Sequence, residues 1–501
     1  PKGTLLAIAL SYLVYALQML LLAACFSREL LCEDSMILKR LSIYGPLIDL
    51  GLWAATLSSA LGSFVAAPRV LQALARDRIF PSLSFFAVTG GPSAEPRRAV
   101  VLTFILAMLC LLAGGLNVIA PVISMFFLLT YGMVNLACFY ESRSLNPSFR
   151  PRFKCFHWVT ALLGALCCLA VMFLISKGAA LVSLLLLLIV YQYIEWSHVV
   201  ASFGDAKSGY VFRQAVDCLR KLESLGYHPK NWRPQILVLS GNPKTRPLLV
   251  QLADLLECGR GFLLLANILV GDFKSMLARK SAQEESIRSF FQEHSIDGFP
   301  KVVIASSFEE GFLSLAQSTG VGGFKANTVL LGWCENEKTR GVFVRNLRRA
   351  VALGLDVLVH RHDGVVFESM ERIDIWWRGR ENGNLMVIFA YLLSLNPSLG
   401  VSEIRVLRII ENEAGVEEAR SHLQSLLVEA RVDGKVRVLV SDDAAKDVIA
   451  QESFDAELVF LGMELPEEGH EEGFMDVYDA LTEKLKNVVI VKSTGRSDVT
   501  A

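Results

Sequence analysis

Residues 3–25 read GTLLAIALSYLVYALQMLLLAAC, 23 residues without an Asp, Glu, Lys or Arg. A helix rises 1.5 Å per residue, so about 20 apolar residues cross the ~30 Å hydrocarbon of a bilayer. Working outward, Ala99–Gly115, Asn117–Phe139, His157–Ser176 and Gly178–Ile194 are equally free of charge. Tyr44–Ala67 is interrupted only by Asp49. Core helices of a globular domain rarely come in a series this clean, and the pattern predicts six membrane spans.

The charge count divides the chain at the same place. The first 200 residues carry 14 Lys+Arg and 8 Asp+Glu, and the other 301 carry 35 and 42. A membrane part therefore precedes a charge-rich part outside the membrane. The net charge of −1 excludes a dedicated nucleic-acid binder, which needs a concentrated basic face. The ten cysteines form no CxxC pair, which argues against zinc and redox motifs. Cys25 and Cys32 either meet on the outer side or stay free. The chain starts at Pro1, which reads as a fragment of a longer protein.

Loop charge sets the topology. Arg69, Arg76, Arg78, Arg97 and Arg98 lie in one loop, and Arg143, Arg150, Arg152 and Lys154 in the next but one. The opposite side has Arg28, Lys39, Arg40 and Lys177. The positive-inside rule places the first group in the cytoplasm and returns the chain there near residue 198.

The second span concentrates small and hydroxyl residues in GLWAATLSSALGS, residues 51–63. One reading is close helix packing. The other is a sodium site, because a hard cation takes oxygen ligands. The Ser58 and Ser59 hydroxyls and the Ala55 carbonyl are candidates, and Ala55 and Ser59 share a helix face. Asp49 at the end of this span reaches headgroups or water, or else serves a site. Tyr131, Asn117 and Asn135 pack or bind; Tyr131 offers a hydroxyl donor to an anion. Pro68 is expected to end the span. Arg69–Arg78 then reads as a separate basic amphipathic helix, either on the headgroups or acting as a gate or dock.

These segments resemble the cation–chloride cotransporters. The matching stretches are PKGTLLAI, ATLSSAL, APRVLQALARDRIFP, LNVIAPVISMFFLLTYGMVN, NPSFRPRF and LLGALCCLAVMFLIS. NWRPQILVLSGNPKTRPLL opens the second part. The resemblance implies a polytopic α-helical membrane protein: the second half, spans seven to twelve, of a twelve-span LeuT-type inverted-repeat transporter fold. It also implies a cytoplasmic α/β domain of two universal-stress-protein-like lobes. Ala55, Ser58 and Ser59 match the family's span-eight sodium ligands, and Tyr131 matches a span-ten chloride tyrosine. Potassium ligands and most chloride contacts would lie in the six N-terminal spans missing here. CFSRELLCED through LARDRIF, and FLISKGAA, are nearer the orphan cotransporter-interacting branch, which puts the substrate in doubt. Membrane lipid and a second copy, paired through the cytoplasmic domain, are the implied partners. No cofactor is implied beyond transported sodium, potassium and chloride.

The expected segments are 1–197 (six spans), 198–233 (an amphipathic, scissor-like connector), 234–365 (lobe one) and 366–501 (lobe two). Past Gly204, short β-rich runs alternate with amphipathic helices, predicting a parallel sheet covered on both faces. Strands are expected at Gln235–Ser240, Gly261–Val270, Lys301–Ser306, Asn327–Gly332 and Leu355–His360. A second series is expected at Ile373–Trp377, Glu403–Ile410, Val436–Ser441, Glu457–Gly462 and Asn487–Val491. ANTVLLG at 326–332 echoes AELVFLG at 456–462, and DVLV at 356–359 echoes NVVI at 487–490. Offsets of 130 and 131 positions point to an internal duplication. No nucleophile elbow, Walker loop or metal spacing supports an enzyme. The glycines of Gly320, Gly322 and Gly323 with Lys325 form either a tight turn or a nucleotide loop; universal-stress-type lobes sometimes bind ATP.

The leading reading is a secondary symporter of chloride with sodium and/or potassium. A non-transporting regulatory partner and an amino-acid or polyamine carrier on the same scaffold are the alternatives.

Overall fold

The computed structural model describes residues 2–34, 36–77, 80–87, 95–112, 116–145, 149–150, 156–196, 206–364, 367 and 369–500. Expectations that rest on Arg78, Arg152, Lys154 and connector residues 198–205 lie outside the described residues. The chain forms two compact units, Pro1–Asp217 and Cys218–Ala501.

The first unit is helical. Helix α1 (Lys2–Cys25) leads through short α2 (Arg28–Glu33) and α3 (Ile37–Leu41) to α4 (Gly45–Arg76). A 3-10 segment, Pro81–Phe86, precedes α5 (Arg97–Leu112), α6 (Leu116–Ser144), α7 (Trp158–Ile175), α8 (Lys177–Trp196) and α9 (Ala206–Ser224). Among the described residues, five helices, α1, α4, α6, α7 and α8, are long and apolar enough to cross a membrane. The expected third span forms α5, whose 16 residues extend about 24 Å, short of the ~30 Å core. Its expected end, 113–115, lies outside the described residues. Cys25 is a free thiol.

One expectation is corrected here. Pro68 does not end a helix: α4 runs unbroken from Gly45 to Arg76 with Pro68 inside it. A proline removes one backbone donor and crowds the carbonyl four residues back, but the bonds on either side persist. Membrane helices tolerate this where neighbouring groups cover the freed carbonyl. Pro68 is buried with Gln72 and Ala75, and it lines a cleft shared with Pro96 and Val100 at the start of α5. Over Arg69–Arg76, the expected separate helix is therefore the last turns of α4. Its packed side is the Pro68, Gln72 and Ala75 stripe, while Val70 is exposed.

The second unit is a three-layer α/β domain. Its elements are β1 (Gln235–Leu239), α10 (Pro247–Glu257), β2 (Phe262–Val270), α11 (Phe273–His294), β3 (Phe299–Ala305) and α12 (Phe308–Ser318). A hairpin of β4 (Gly320–Val321) and β5 (Phe324–Lys325) precedes β6 (Thr328–Gly332), α13 (Glu337–Ala352) and β7 (Asp356–His362). The second series is β8 (Arg372–Trp376), α14 (Arg380–Ser394), β9 (Glu403–Ile410), α15 (Val416–Ala430), β10 (Lys435–Val440), α16 (Ala445–Glu452), β11 (Leu458–Gly462), α17 (Phe474–Thr482) and β12 (Asn487–Lys492). All ten expected strands form, most shifted by one or two residues.

They make one ten-stranded sheet in the order β10-β9-β8-β11-β12-β7-β6-β1-β2-β3. Ignoring the hairpin, each lobe has the spatial order third, second, first, fourth, fifth. The two lobes join fifth strand to fifth strand. Within each lobe the pairs are parallel, but β7 and β12 run antiparallel. The two parallel units expected from the sequence are thus fused edge to edge into one sheet. Side chains alternate between faces. Leu330, Leu358 and Val489 pack under α10, α11, α14 and α15, while Val359 and Ile490 pack under α12, α13, α16 and α17.

Candidate functional site

Ala55, Ser58 and Ser59 lie on α4, and all three are exposed. Their neighbour Thr56 spends its hydroxyl on its own helix, donating to the Leu52 carbonyl at 2.8 Å. Neither serine hydroxyl has a hydrogen-bond partner among the described residues. Around Gly51 and Gly62 on the same helix, a side chain would meet nothing within 4 Å. The two serine hydroxyls therefore lie on an open face of the helix.

Asp49 is accounted for by a partner. Its carboxylate pairs with Lys39 of α3 at 2.6 Å. Lys39 lies ten residues away, on another helix, so sequence spacing does not reveal the pair.

Tyr131 lies on α6, exposed, with its ring stacked on Phe127 at a 6.3 Å centroid distance. Asn135 donates through Nδ2 to the Tyr131 carbonyl at 2.8 Å. Helix α4 packs on α3, α5 and the 81–86 segment, whereas α6 packs on α7 and α8. The serines and the tyrosine thus belong to different helix groups of the unit, and the structure does not bring them together. The side chain of Asn117 lies outside the described residues.

Gly320, Gly322, Gly323 and Lys325 form the small hairpin. Gly320 pairs with Lys325 and Val321 with Phe324, which leaves Gly322 and Gly323 as the turn. Gly322 has φ +59°, a conformation that favours glycine. A side chain at Gly322 would meet Glu223, and one at Gly323 would meet Leu222. The hairpin leads into the amino end of β6. Ligands of open parallel sheets bind at the opposite, carboxyl end.

That carboxyl end carries a cleft the sequence did not announce. In lobe one the strand order reverses at β1, and a cavity of about 700 Å³ opens beyond β1, β6 and β7. Arg246, Trp333, Arg340, His360, Arg361 and Asp479 are among its lining residues. Asp479, from α17 of lobe two, accepts from Arg340 at 2.6 Å and from the Trp333 indole at 3.0 Å. Arg361 lies over the Trp333 ring and donates to the Asp479 carbonyl at 3.0 Å. Two of the three guanidiniums are therefore held by the protein itself. The third, Arg246, has no side-chain partner among the described residues.

His360 is 1 % exposed, with its ring against His362 and Phe367. Burial, reinforced by the neighbouring His362, pushes its pKa down to about 3, so the ring stays neutral.

Lobe two closes the equivalent place. Gly332 and Gly462 are counterparts, 130 positions apart. Arg246 lies 3.2 Å from where a Gly332 side chain would begin, and Asn382 lies 3.2 Å from the same point at Gly462. Asn382 is fully used: its Nδ2 donates to the Met463 carbonyl at 3.0 Å, and its Oδ1 accepts from the Ser493 N–H at 2.8 Å. The Trp377 ring fills the space over Gly383, where a side chain would begin 2.3 Å from it.

The comparisons follow the same division of the chain. Residues 1–238 match the amino acid permease model, and residues 246–347 match the solute carrier family 12 model. The cytoplasmic domain of a prokaryotic cation chloride cotransporter is similar at 20% identity and TM-score 0.41, covering 54% of this chain and 99% of that one. A universal stress protein from Archaeoglobus fulgidus is similar at 12% identity and TM-score 0.37, covering 52% and 98%. The permease model on the helical unit is followed by the solute carrier model on the α/β domain, in one chain that carries the motif runs quoted above. Together the two family models support membership of the cation–chloride cotransporter family.

Proposed function

We propose that the protein is a secondary symporter that moves chloride with sodium and/or potassium. The observation that carries this reading is the open face of α4, where two serine hydroxyls without partners among the described residues lie one turn beyond Ala55. Oxygen ligands in that pattern suit sodium. Tyr131 offers its hydroxyl to chloride from α6. Coupling is thermodynamic: each ion stabilises a conformation that the other binds better, and no covalent step is needed. The α/β domain is placed in the cytoplasm, where it pairs copies and regulates transport.

Ion flux in cells expressing the protein tests this. Chloride uptake should require sodium or potassium. Ser58→Ala with Ser59→Ala should raise the sodium concentration for half-maximal uptake while leaving protein at the cell surface unchanged. Uptake independent of chloride and of both cations would remove the reading. The amino acid permease match favours a second reading, a carrier of amino acids or polyamines, which cation-independent amino-acid uptake would support. A regulatory partner without flux of its own would instead co-purify with an intact transporter.

A nucleotide remains a proposed ligand of the α/β domain. Its place is the lobe-one cleft rather than the glycine hairpin, because the cleft lies at the carboxyl end of the strands and holds Arg246, whose side chain has no partner among the described residues. Binding of a fluorescent ATP analogue that weakens in Arg246→Gln would support it. Equal binding by both proteins would exclude the cleft.

A further inference from the structure

Helices α6 and α7 touch through an amide. The Asn135 side chain lies against Gly164 of α7: a side chain at Gly164 would begin 2.7 Å from Oδ1 and 2.9 Å from Cγ. One turn earlier, a side chain at Gly132 would meet the Cys168 Cβ at 3.4 Å. Glycines at both points let the backbones approach, the usual device for packing helices in lipid. The same Asn135 amide donates from Nδ2 to the Tyr131 carbonyl at 2.8 Å. One side chain therefore joins the Tyr131 turn of α6 to the surface of α7.

Apolar residues fill the rest of this interface, such as Met125 and Met172, which are almost fully buried. An asparagine is not needed for packing there. A small apolar residue would fill the place over Gly164 without leaving a polar group in hydrocarbon to be satisfied. What the amide adds is a fixed relation between the Tyr131 backbone and α7. A side-chain bond to a helix carbonyl also sets the local bend. Tyr131 projects from that turn with its ring held on Phe127. The position of its hydroxyl is thus set by two contacts: Phe127 on its own helix, and Asn135 clamped over Gly164.

We infer that Asn135 is a positioning residue for chloride: through its bond to the Tyr131 carbonyl, which packing of the amide on Gly164 holds in place, it fixes where the Tyr131 hydroxyl meets the ion. This rests on the chloride reading of Tyr131, and the test separates the two.

The experiment measures chloride and sodium dependence of uptake, normalised to protein at the cell surface, for five variants. Tyr131→Phe tests the reading itself. Asn135→Ala removes the clamp from one side. Gly164→Ala displaces it from the other, because the new methyl would sit only 2.7 Å from Oδ1, too close for both to stay. Asn135→Ser keeps a hydroxyl that can donate to the Tyr131 carbonyl, as Thr130 does to the Phe126 carbonyl at 2.8 Å. Asn135→Ser with Gly164→Ala leaves room for the methyl and keeps the bond.

Asn135→Ala and Gly164→Ala should each raise the chloride KM about fivefold, the net worth of one hydrogen bond. Maximal rate and sodium KM should not change. Asn135→Ser and the double variant should stay within about twofold of the parent on the same scale. A general packing defect would instead lower surface protein or maximal rate, and it would not be rescued by the double variant. If Tyr131→Phe raises the chloride KM but Asn135→Ala and Gly164→Ala do not, the inference fails and the chloride reading stands. If Asn135→Ala raises it and Tyr131→Phe does not, Asn135 does not act through Tyr131, and the inference fails. If none of the three changes it, both fall.

Discussion

Val359 of β7 pairs directly with Ile490 of β12 across the one antiparallel junction of the sheet. The two residues are 131 positions apart, the same offset that relates the repeated stretches DVLV and NVVI. Each is therefore the other's counterpart, and the pair sits on the local twofold axis that relates the lobes. Hydrogen bonds beside it keep the symmetry: Trp333 N–H donates to the His360 carbonyl and Met463 N–H to the Val491 carbonyl, both at 2.8 Å.

This junction lies in the core, with Val359 and Ile490 each 1 % exposed. Ile490→Ala should cost about 2–5 kcal/mol, the range for truncating a buried isoleucine. Hydrogen exchange should show faster opening in β7 and β12 together. Faster exchange confined to β12 would show that the lobes open separately.

Asp374 is buried completely and held by Arg405 through Nε at 2.8 Å and Nη2 at 2.6 Å. Ser453 donates to the same carboxylate at 2.7 Å and accepts from the Trp376 indole at 3.1 Å. Asp374→Asn leaves the Arg405 charge without its counter-charge and should cost about 3–5 kcal/mol. Replacing both, Asp374→Asn with Arg405→Met, should restore part of the loss. Thermal melts of the two variants check this.

His360 gives the domain a pH-dependent component. Its pKa is about 3 in the fold against 6.5 for an ordinary histidine. Between those values the unfolded chain binds a proton that the fold does not. This contribution to stability is therefore complete above about pH 7 and is lost as pH falls from about 6.5 toward 3. His360→Leu should flatten the stability-against-pH curve over that window by up to one proton. An unchanged slope would show that the imidazole is not held neutral.

Gly383 leaves no room for a side chain beneath Trp377. Gly383→Ala should cost about 1–3 kcal/mol, as overpacking does. Trp377→Leu in the same protein should recover part of that cost. A melt unchanged by Gly383→Ala would show that the ring moves aside freely.

Much of this architecture is legible in the sequence, because its signals are local. Runs such as Gln235–Leu239 and Glu403–Ile410 are β-rich and bounded by turns, and the six apolar stretches stand out by the absence of charge. The duplication is visible because equivalent strands kept their residues. The antiparallel junction is not, since β7 and β12 each read like any other buried strand. Pro68 misleads for a different reason: proline's local cost is real, but it removes one backbone bond, and the rest of the α4 ladder runs on past it. The cleft draws on residues near 246, 333, 340, 360 and 479, which only the strand order brings together. Of the expected site residues, the sequence names Ser58, Ser59 and Tyr131, but not the clamp that ties Tyr131 to α7.

Joining the lobes through their fifth strands has a thermodynamic consequence. Two separate copies of one lobe that met along this edge would form a dimer whose population depends on concentration. A covalent link makes the encounter intramolecular and holds the partner at an effective concentration set by the short segment from β7 to β8. Dilution then no longer threatens the pairing, and selection need not keep the halves alike. One half has filled its strand ends with Asn382 and Trp377, while the other keeps Arg246 beside an open cleft.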